Sequence, residues 1–404
     1  MTRNVDVVVV GAGPAGLSAA MELRKCGVHD VIVIERETEP GGIPRHCNHL
    51  GFGIRDLHRS LSGPCYAERL TKHALLLGVE LQLATTVTSL EGDRVCITGT
   101  NGPDEVTARA VLIATGARER PRIARVVPGD RGAGVFTTGQ LQQWVRAGIP
   151  IGHRALIVGA EHVAYSAVLT LRHAGVLVTG MITEHSKSQS WAAASAVAQL
   201  AWRVPLWTNS RIVDVHGRFR IDWVEVESMV SGTRRRLEVD TVVFTGDWIP
   251  DHELARSAGI PVDPGTLGPA TDVDGRTDVS MVYAAGNLVH PVETADVAAM
   301  RARRVAQTVV SELGASKSVV NALVLEVERP LTSVWPNRVR TPLQRVTVRL
   351  GQDQPRSTLV YRQGNIVLGE VRLRKLRTGR SIGVDATPLR LADPARGVVR
   401  LSFG

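Results

Sequence analysis

The chain has 404 residues, 39 of them glycine, is 44% hydrophobic and carries a formal net charge of +9. That length and mixture suit two or three folded cores and exclude a disordered or fibrous polypeptide. The whole positive excess falls in residues 321–404, where 15 Lys and Arg stand against 6 Asp and Glu.

The opening residues, MTRNVDVVVV, run straight into an apolar strand, without the features of a secretion signal. Further on, the longest apolar stretch, Ala192 to Trp202, carries Ser195 and Gln199 and falls short of the ~20 residues that span a bilayer. Cys26, Cys47, Cys65 and Cys96 form no C-x-x-C pair, so neither a disulfide framework nor a thiolate metal site is legible. A reducing cytoplasm is the expected setting. Dithiol redox chemistry then requires Cys47 and Cys65 to meet in the fold.

After four valines comes Gly11-Ala12-Gly13-Pro14-Ala15-Gly16, opening a helix. In this strand–turn–helix context Gly11 permits the tight turn, Gly13 leaves room for a pyrophosphate, and Gly16 lets helix and strand pack. The helix N-terminus offers free amides and a partial positive charge to that anion. Glu35, closing the next strand, is placed for ribose hydroxyls.

The design recurs. VVVVGAGPAGLSAAMELRKCGVHDVIVIE (7–35) aligns with ALIVGAEHVAYSAVLTLRHAGVLVTGMITE (155–184), each a strand, turn, helix, terminating glycine and strand closing on an acid. The strands of TARAVLIATGARERP (107–121) and EVDTVVFTGDWIP (238–250) both stop at Thr-Gly. In the second turn Glu161 replaces the glycine that admits pyrophosphate, whereas Ala164 at the third position is a milder change. At 4 Å and an effective dielectric near 20, one like-charge pair costs about 4 kcal/mol, roughly a thousandfold in affinity. The expectation is a fold kept and a nucleotide site lost at Gly159, Glu161 and Glu184; the alternative is Glu161 turned outward with water filling the gap. If the site survives, the charge of Glu184 favours NADH over NADPH.

Beyond the helical ADVAAMRARRVAQTVVSELG, the segments LQRVTVRL, STLVYR, NIVLGEVRLRKL and VVRLSF alternate polar and apolar residues, which predicts a small antiparallel β domain. Its Arg372, Arg374, Lys375, Arg377 and Arg380 suit either a solvated face or docking onto an acidic partner subunit or anionic membrane surface. Nucleic acid is not expected, since only Trp335, Tyr361 and Phe403 are available for stacking there.

The first turn, Ala114-Thr115-Gly116, the second Thr245-Gly246 and VYAAGNLVHPVETADVAA (282–299) together resemble the two-dinucleotide-domain flavoproteins related to pyridine nucleotide-disulfide reductases, over residues 5–315. The resemblance implies an α/β fold with two Rossmann-like domains of glutathione reductase type. FAD would bind in a discontinuous domain of residues 1–148 and 251–318, and NAD(P)H, doubtful here, in 149–250, with the β domain spanning 319–404. It further implies FAD contacts from Gly11, Gly13, Pro14, Ala15, Gly16, Glu35, Arg36, Gly42, Ala114, Thr115, Gly116, Gly286, Asn287, Thr294 and Ala295. Asn287 stands where that family carries Asp.

PGGIPRHCNHLGFGIRDLHRSLSGPCYAERL (40–70) resembles the narrower group of opine oxidase, hydrogen cyanide synthase and anaerobic glycerol-3-phosphate dehydrogenase flavoproteins. That likeness implies a flavin subunit of a multisubunit dehydrogenase or oxidase for a small amine, amino acid or polyol phosphate. His46, Cys47 and His49 would then lie near the redox centre, either packing a loop or serving in acid–base catalysis; no metal site is read from them, a fourth ligand being absent. An NADH-dependent flavin reductase and an assembly subunit with structural FAD are the other readings. The expected location is the cytoplasm, with any membrane contact made through partners.

Overall fold

Val7, Val8 and Val9 are fully buried in strand β1 (Arg3–Val10), each contributing roughly 1.5–3 kcal/mol. The structure, a computed structural model, describes residues 3–190, 195–291, 293–314, 322–374, 376, 378 and 381–404. Helix α1 (Pro14–Lys25) starts with proline at its first position, where a missing N–H costs nothing, and gives way at Gly27, whose φ is +90°. The chain returns as β2 (Val31–Ile34), parallel to β1. On its other side β1 pairs in parallel with Gly102–Ile113. That long strand pairs in parallel with Val282–Ala284 near its end, while its first half forms an antiparallel meander with Arg94–Gly99 and Thr86–Glu91. With Glu80–Gln82 beside β2, the sheet has seven strands. The helix Ala295–Leu313 packs along α1 and shares its core through Ala302, Val305 and Val309.

A second, five-stranded parallel sheet holds Val135–Thr137, Thr241–Phe244, Arg154–Val158, Leu177–Ile182 and Leu206–Trp207 in that order. Helix α2 (His162–His173) connects two of these as α1 does in the first sheet, and Gly175 (φ +73°) ends it as Gly27 ends α1. Val135–Thr137 and Leu141 of the helix Thr138–Arg146 join this second sheet and its core, although a boundary near 148 placed them with the first domain. Between the sheets run Ala117–Glu119 and Trp248–Pro250, paired antiparallel.

The C-terminal region is β-rich, with a five-stranded and a three-stranded sheet around Leu325, Val348, Tyr361 and Leu401. The four segments expected as strands are Arg345–Leu350, Ser357–Gln363, Ile366–Leu373 and Val399–Phe403. The start of this region, residues 315–321, lies outside the described residues, as do Lys375, Arg377 and Arg380 and part of the apolar stretch 192–202. Part of its basic charge turns inward: Arg340 pairs with Asp272 and Asp278, and Arg338 with Asp278. Arg372 and Arg374 are exposed. Tyr361 is fully buried, its hydroxyl donating to Asp385 O at 2.7 Å, which removes it from any stacking role.

Candidate functional site

The first glycine turn is built as a cradle. A side chain at Gly11 (φ +104°) would place Cβ 2.6 Å from Ala114 O, and one at Gly16 would strike Gly11 O at 1.9 Å. Around Gly13, by contrast, no atom lies within 4 Å of a Cβ position. Gly13 caps α1 without a side-chain hydrogen bond, so the first-turn amides Ala15 and Gly16 border this open space. Volume and donors therefore fit a pyrophosphate. Glu35 holds the turn from β2: Oε2 accepts from Ala12 N at 2.7 Å and Oε1 from Glu37 N at 3.0 Å. Burial pushes its carboxyl up, against those hydrogen bonds and nearby arginines. Arg36 lies 3.2 Å from Asp251, whose backbone carbonyl accepts from Thr115 Oγ1 at 2.8 Å and whose amide donates to Gly116 O at 3.0 Å.

Gly42 (φ +62°) passes so near that its Cβ would come within 2.9 Å of Gly13 Cα. Gly286 likewise leaves only 2.7 Å to Ala15 Cβ. The loops carrying 42 and 286 thus converge on the turn. Asn287 is engaged within its own loop, accepting from Glu293 N at 3.0 Å and donating to Glu293 O at 3.3 Å. This clasp precedes the helix Ala295–Leu313, whose cap Thr294 makes no side-chain bond to the first turn.

His46, Cys47 and His49 share one loop but differ in environment. Burial, with Arg45 and Arg146 nearby, lowers the His46 pKa to about 4, so its imidazole is neutral at pH 7, and Nδ1 is buried without a hydrogen-bond partner. Cys47 is buried, and burial and then Glu119 push its thiol up to about 12. It is a protonated donor to Gln142 Oε1 at 3.2 Å. Gln142 Nε2 donates to Ser166 Oγ at 2.9 Å, and Ser166 Oγ lies 2.6 Å from His49 Nε2. Because His49 Nδ1 is 2.9 Å from Leu50 O, which only accepts, Nδ1 carries the proton and Nε2 accepts from Ser166. Cys47 and Cys65 are both free thiols. Among the described residues no group of three or more His, Cys, Asp or Glu side chains is arranged to hold a metal.

At the second turn, part of Glu161 meets solvent but its carboxylate points into the crevice, with Oε1 buried and unpartnered. Oε2 accepts from Ala160 N at 3.0 Å, and the side chain bonds to Thr245. The crevice is tight: a Cβ on Gly159 would sit 2.8 Å from Glu161 Oε2, and one on Gly246 3.0 Å from its Cδ. Burial pushes this carboxyl up, opposed by those hydrogen bonds and by Arg125. Glu161 thus brings both bulk and an acidic group into the crevice. Nearby Glu119 is buried, accepts from Gly139 N at 2.8 Å, and titrates at about 7 because burial, then Glu161, outweigh its partners. Glu184, exposed, lines a cavity of about 210 Å³ with His185, Lys187 and Asp353.

Gln142, Ser166, Glu119 and Arg125 carry no motif and escape a sequence reading. Cys47 and Gln142 are 95 positions apart and His49 and Ser166 117, so no local periodicity joins them.

Two Rossmann units in series, with a glycine cradle on the first, define a nucleotide-binding flavoprotein architecture. The chain belongs to the pyridine nucleotide-disulphide oxidoreductase family, whose model matches residues 5–302. Its members are FAD-binding oxidoreductases. Thioredoxin reductase of Treponema pallidum is 26% identical over 296 residues, covering 71% of this chain and 90% of that protein. An opine oxidase subunit of Rhizobium meliloti is 28% identical over 345 residues, covering 76% and 71%. The crystal structure of T. acidophilum thioredoxin reductase shares the fold with a TM-score of 0.65 at 21% identity, over 77% of this chain and 99% of that one. Among the described residues no helix is long and apolar enough to cross a membrane.

Proposed function

We propose that the chain is the FAD-carrying subunit of a multisubunit dehydrogenase or oxidase for a small amine, amino acid or polyol phosphate, with a second nucleotide cradle closed to NAD(P)H. The observation that carries this reading is the Glu161 carboxylate folded into the second turn against Thr245. Gly13 and the α1 amides would hold the pyrophosphate of FAD and Glu35 its ribose, with the loops at Gly42 and Gly286 bordering the remainder. Thr294 and Ala295 present the long helix's N-terminus, which favours negative charge.

Bound FAD supplies two-electron redox chemistry at this site. His46, neutral at pH 7 with a pKa of about 4, is a weak base and is suited to hydrogen-bond a substrate amine or hydroxyl rather than to take its proton. His49, fixed in one tautomer by Leu50 and Ser166, positions the loop. Cys47, held as a thiol, takes no nucleophilic part. Exposed Ile43, Leu50 and Ile54 on the same loop, at 52%, 69% and 53%, support a partner surface beside the site. The opine oxidase relative is by name one subunit of a larger enzyme, which agrees with this role.

A second reading, an NADH-dependent flavin reductase, is favoured by the cavity beside Glu184, at the ribose end of the second cradle. Anaerobic mixing separates the two. Flavin bleached by a candidate amine, amino acid or polyol phosphate but not by NADH supports the subunit reading; rapid bleaching by NADH supports the reductase.

A further inference from the structure

The β region lies beyond residues 5–302, the part of the chain that the family model matches, yet it reaches the first cradle. Strand Leu331–Trp335 runs antiparallel to Arg345–Leu350, with Ser333 opposite Arg349 and Trp335 opposite Thr347. The period of two therefore puts Trp335 and Arg349 on one face of their sheet. That face meets the loop carrying Gly286, Leu288, His290 and Glu293. Trp335 packs against the core that contains Leu288 and Val289. Its ring also meets His290 edge-on at 5.7 Å and carries the Arg301 guanidinium at 4.5 Å. Arg349 Nη2 lies 3.5 Å from His290 Nδ1, and its charge faces the Glu293 carboxylate. Ser381 Oγ, accepting from Arg349 Nε at 3.1 Å, braces that side chain from within the β region.

The loop held in this way is the one that borders the glycine turn, since Gly286 leaves only 2.7 Å between an added Cβ and Ala15 Cβ. Its far end is tied to the long helix: Arg301 lies 3.2 Å and His290 Nδ1 3.1 Å from Glu293 Oε1. A further segment is wedged between loop and β region. Gly268 packs on the Leu288 carbonyl and Gly265 on the Thr332 carbonyl, each without room for a side chain, and Thr271 N donates to Asn337 Oδ1 at 2.9 Å.

We propose that Trp335 and Arg349 are positioning residues for the cofactor. Through them the β region holds the loop at Gly286 to Glu293, and with it the start of the helix Ala295–Leu313, in the arrangement that FAD binds. Apparent affinity falls with the fraction of molecules that are competent to bind, so a loop ordered in advance binds FAD more tightly. The proposal depends on FAD binding alone, whatever the flavin's substrate and whatever the state of the second cradle.

FAD titration of the full-length apoprotein, read by flavin fluorescence, tests this together with amide exchange at residues 286–290 and 293–295. Arg349→Met keeps the stem and removes the charge; it should weaken FAD binding at least about tenfold and quicken exchange in the loop. Arg349→Lys restores a cation and should recover most of the affinity. Gln363→Leu breaks hydrogen bonds to Asp393 and Gly397 that stay within the β region, so it should lower the melting temperature and leave FAD affinity unchanged. Should Arg349→Met not fold, Trp335→Leu reads the same loss by removing the ring beneath Arg301. Unchanged FAD affinity or unchanged loop exchange in the folded variant, no recovery with lysine, or an equal loss of affinity in Gln363→Leu overturns the proposal.

Discussion

Ser166 Oγ on helix α2 lies 2.6 Å from His49 Nε2 on the loop of the first unit, and that contact ties the two Rossmann units together. The tie continues through Gln142 to Cys47, with Cys47 donating to Gln142 and Gln142 donating to Ser166. Ser166→Ala leaves the buried Gln142 amide and the His49 ring without this partner. Stability should fall by about 1–3 kcal/mol, and amide exchange in the loop 47–53 should quicken. Unchanged exchange there would show that the chain of hydrogen bonds restrains nothing.

Gly13→Val separates cofactor binding from folding. Its added side chain enters space where no protein atom lies within 4 Å of Cβ, in a backbone conformation (φ −76°) open to any residue. The variant should fold with near-normal apoprotein stability and lose FAD affinity by tenfold or more, about 1.4 kcal/mol or greater. Flavin content and apoprotein melting temperature, measured side by side, check this.

Asn287 closes its own loop through both atoms of its side-chain amide. Its amide both donates to and accepts from the Glu293 backbone, whereas a carboxylate only accepts and would face the Glu293 carbonyl at 3.3 Å. Asn287→Asp should therefore destabilise the 287–293 loop by about 1–3 kcal/mol, read as a lower melting temperature.

Glu119 sets a pH dependence. Its carboxyl is raised from 4.5 to about 7 in the fold, so ionisation is harder folded than unfolded. The favourable contribution is complete below about pH 4.5 and is lost as pH rises through about 7, a change of ~3 kcal/mol. Glu119→Gln should flatten melting temperature against pH between about 4.5 and 7. A variant with the wild-type slope would place that titration elsewhere.

Both cradles were legible because their signals are local. Gly11 and Gly159 each take positive φ after an apolar strand, and Gly27 and Gly175 each end a helix. The C-terminal strands followed from simple alternation at Arg345–Leu350 and Val399–Phe403. What escaped was set by tertiary contact. Replacement of a glycine by Glu161 shows in the sequence, but the inward turn of its carboxylate depends on Thr245, 84 positions later. The basic excess suited a solvated or a docking face at Arg372 and Arg374, both exposed, but the pairing of Arg338 and Arg340 with acids of the first unit was not legible, because no periodicity links them.

NADH binding to wild type, Glu161→Gln and Glu161→Gly, measured by calorimetry on FAD-loaded protein, reads the closed second cradle most directly. Glutamine keeps the volume and removes the charge; glycine empties the crevice. Wild type and Glu161→Gln should bind no NADH, while Glu161→Gly gains it, by about a hundredfold or more in affinity. Wild-type protein that binds NADH as tightly as the glycine variant would contradict the closed cradle.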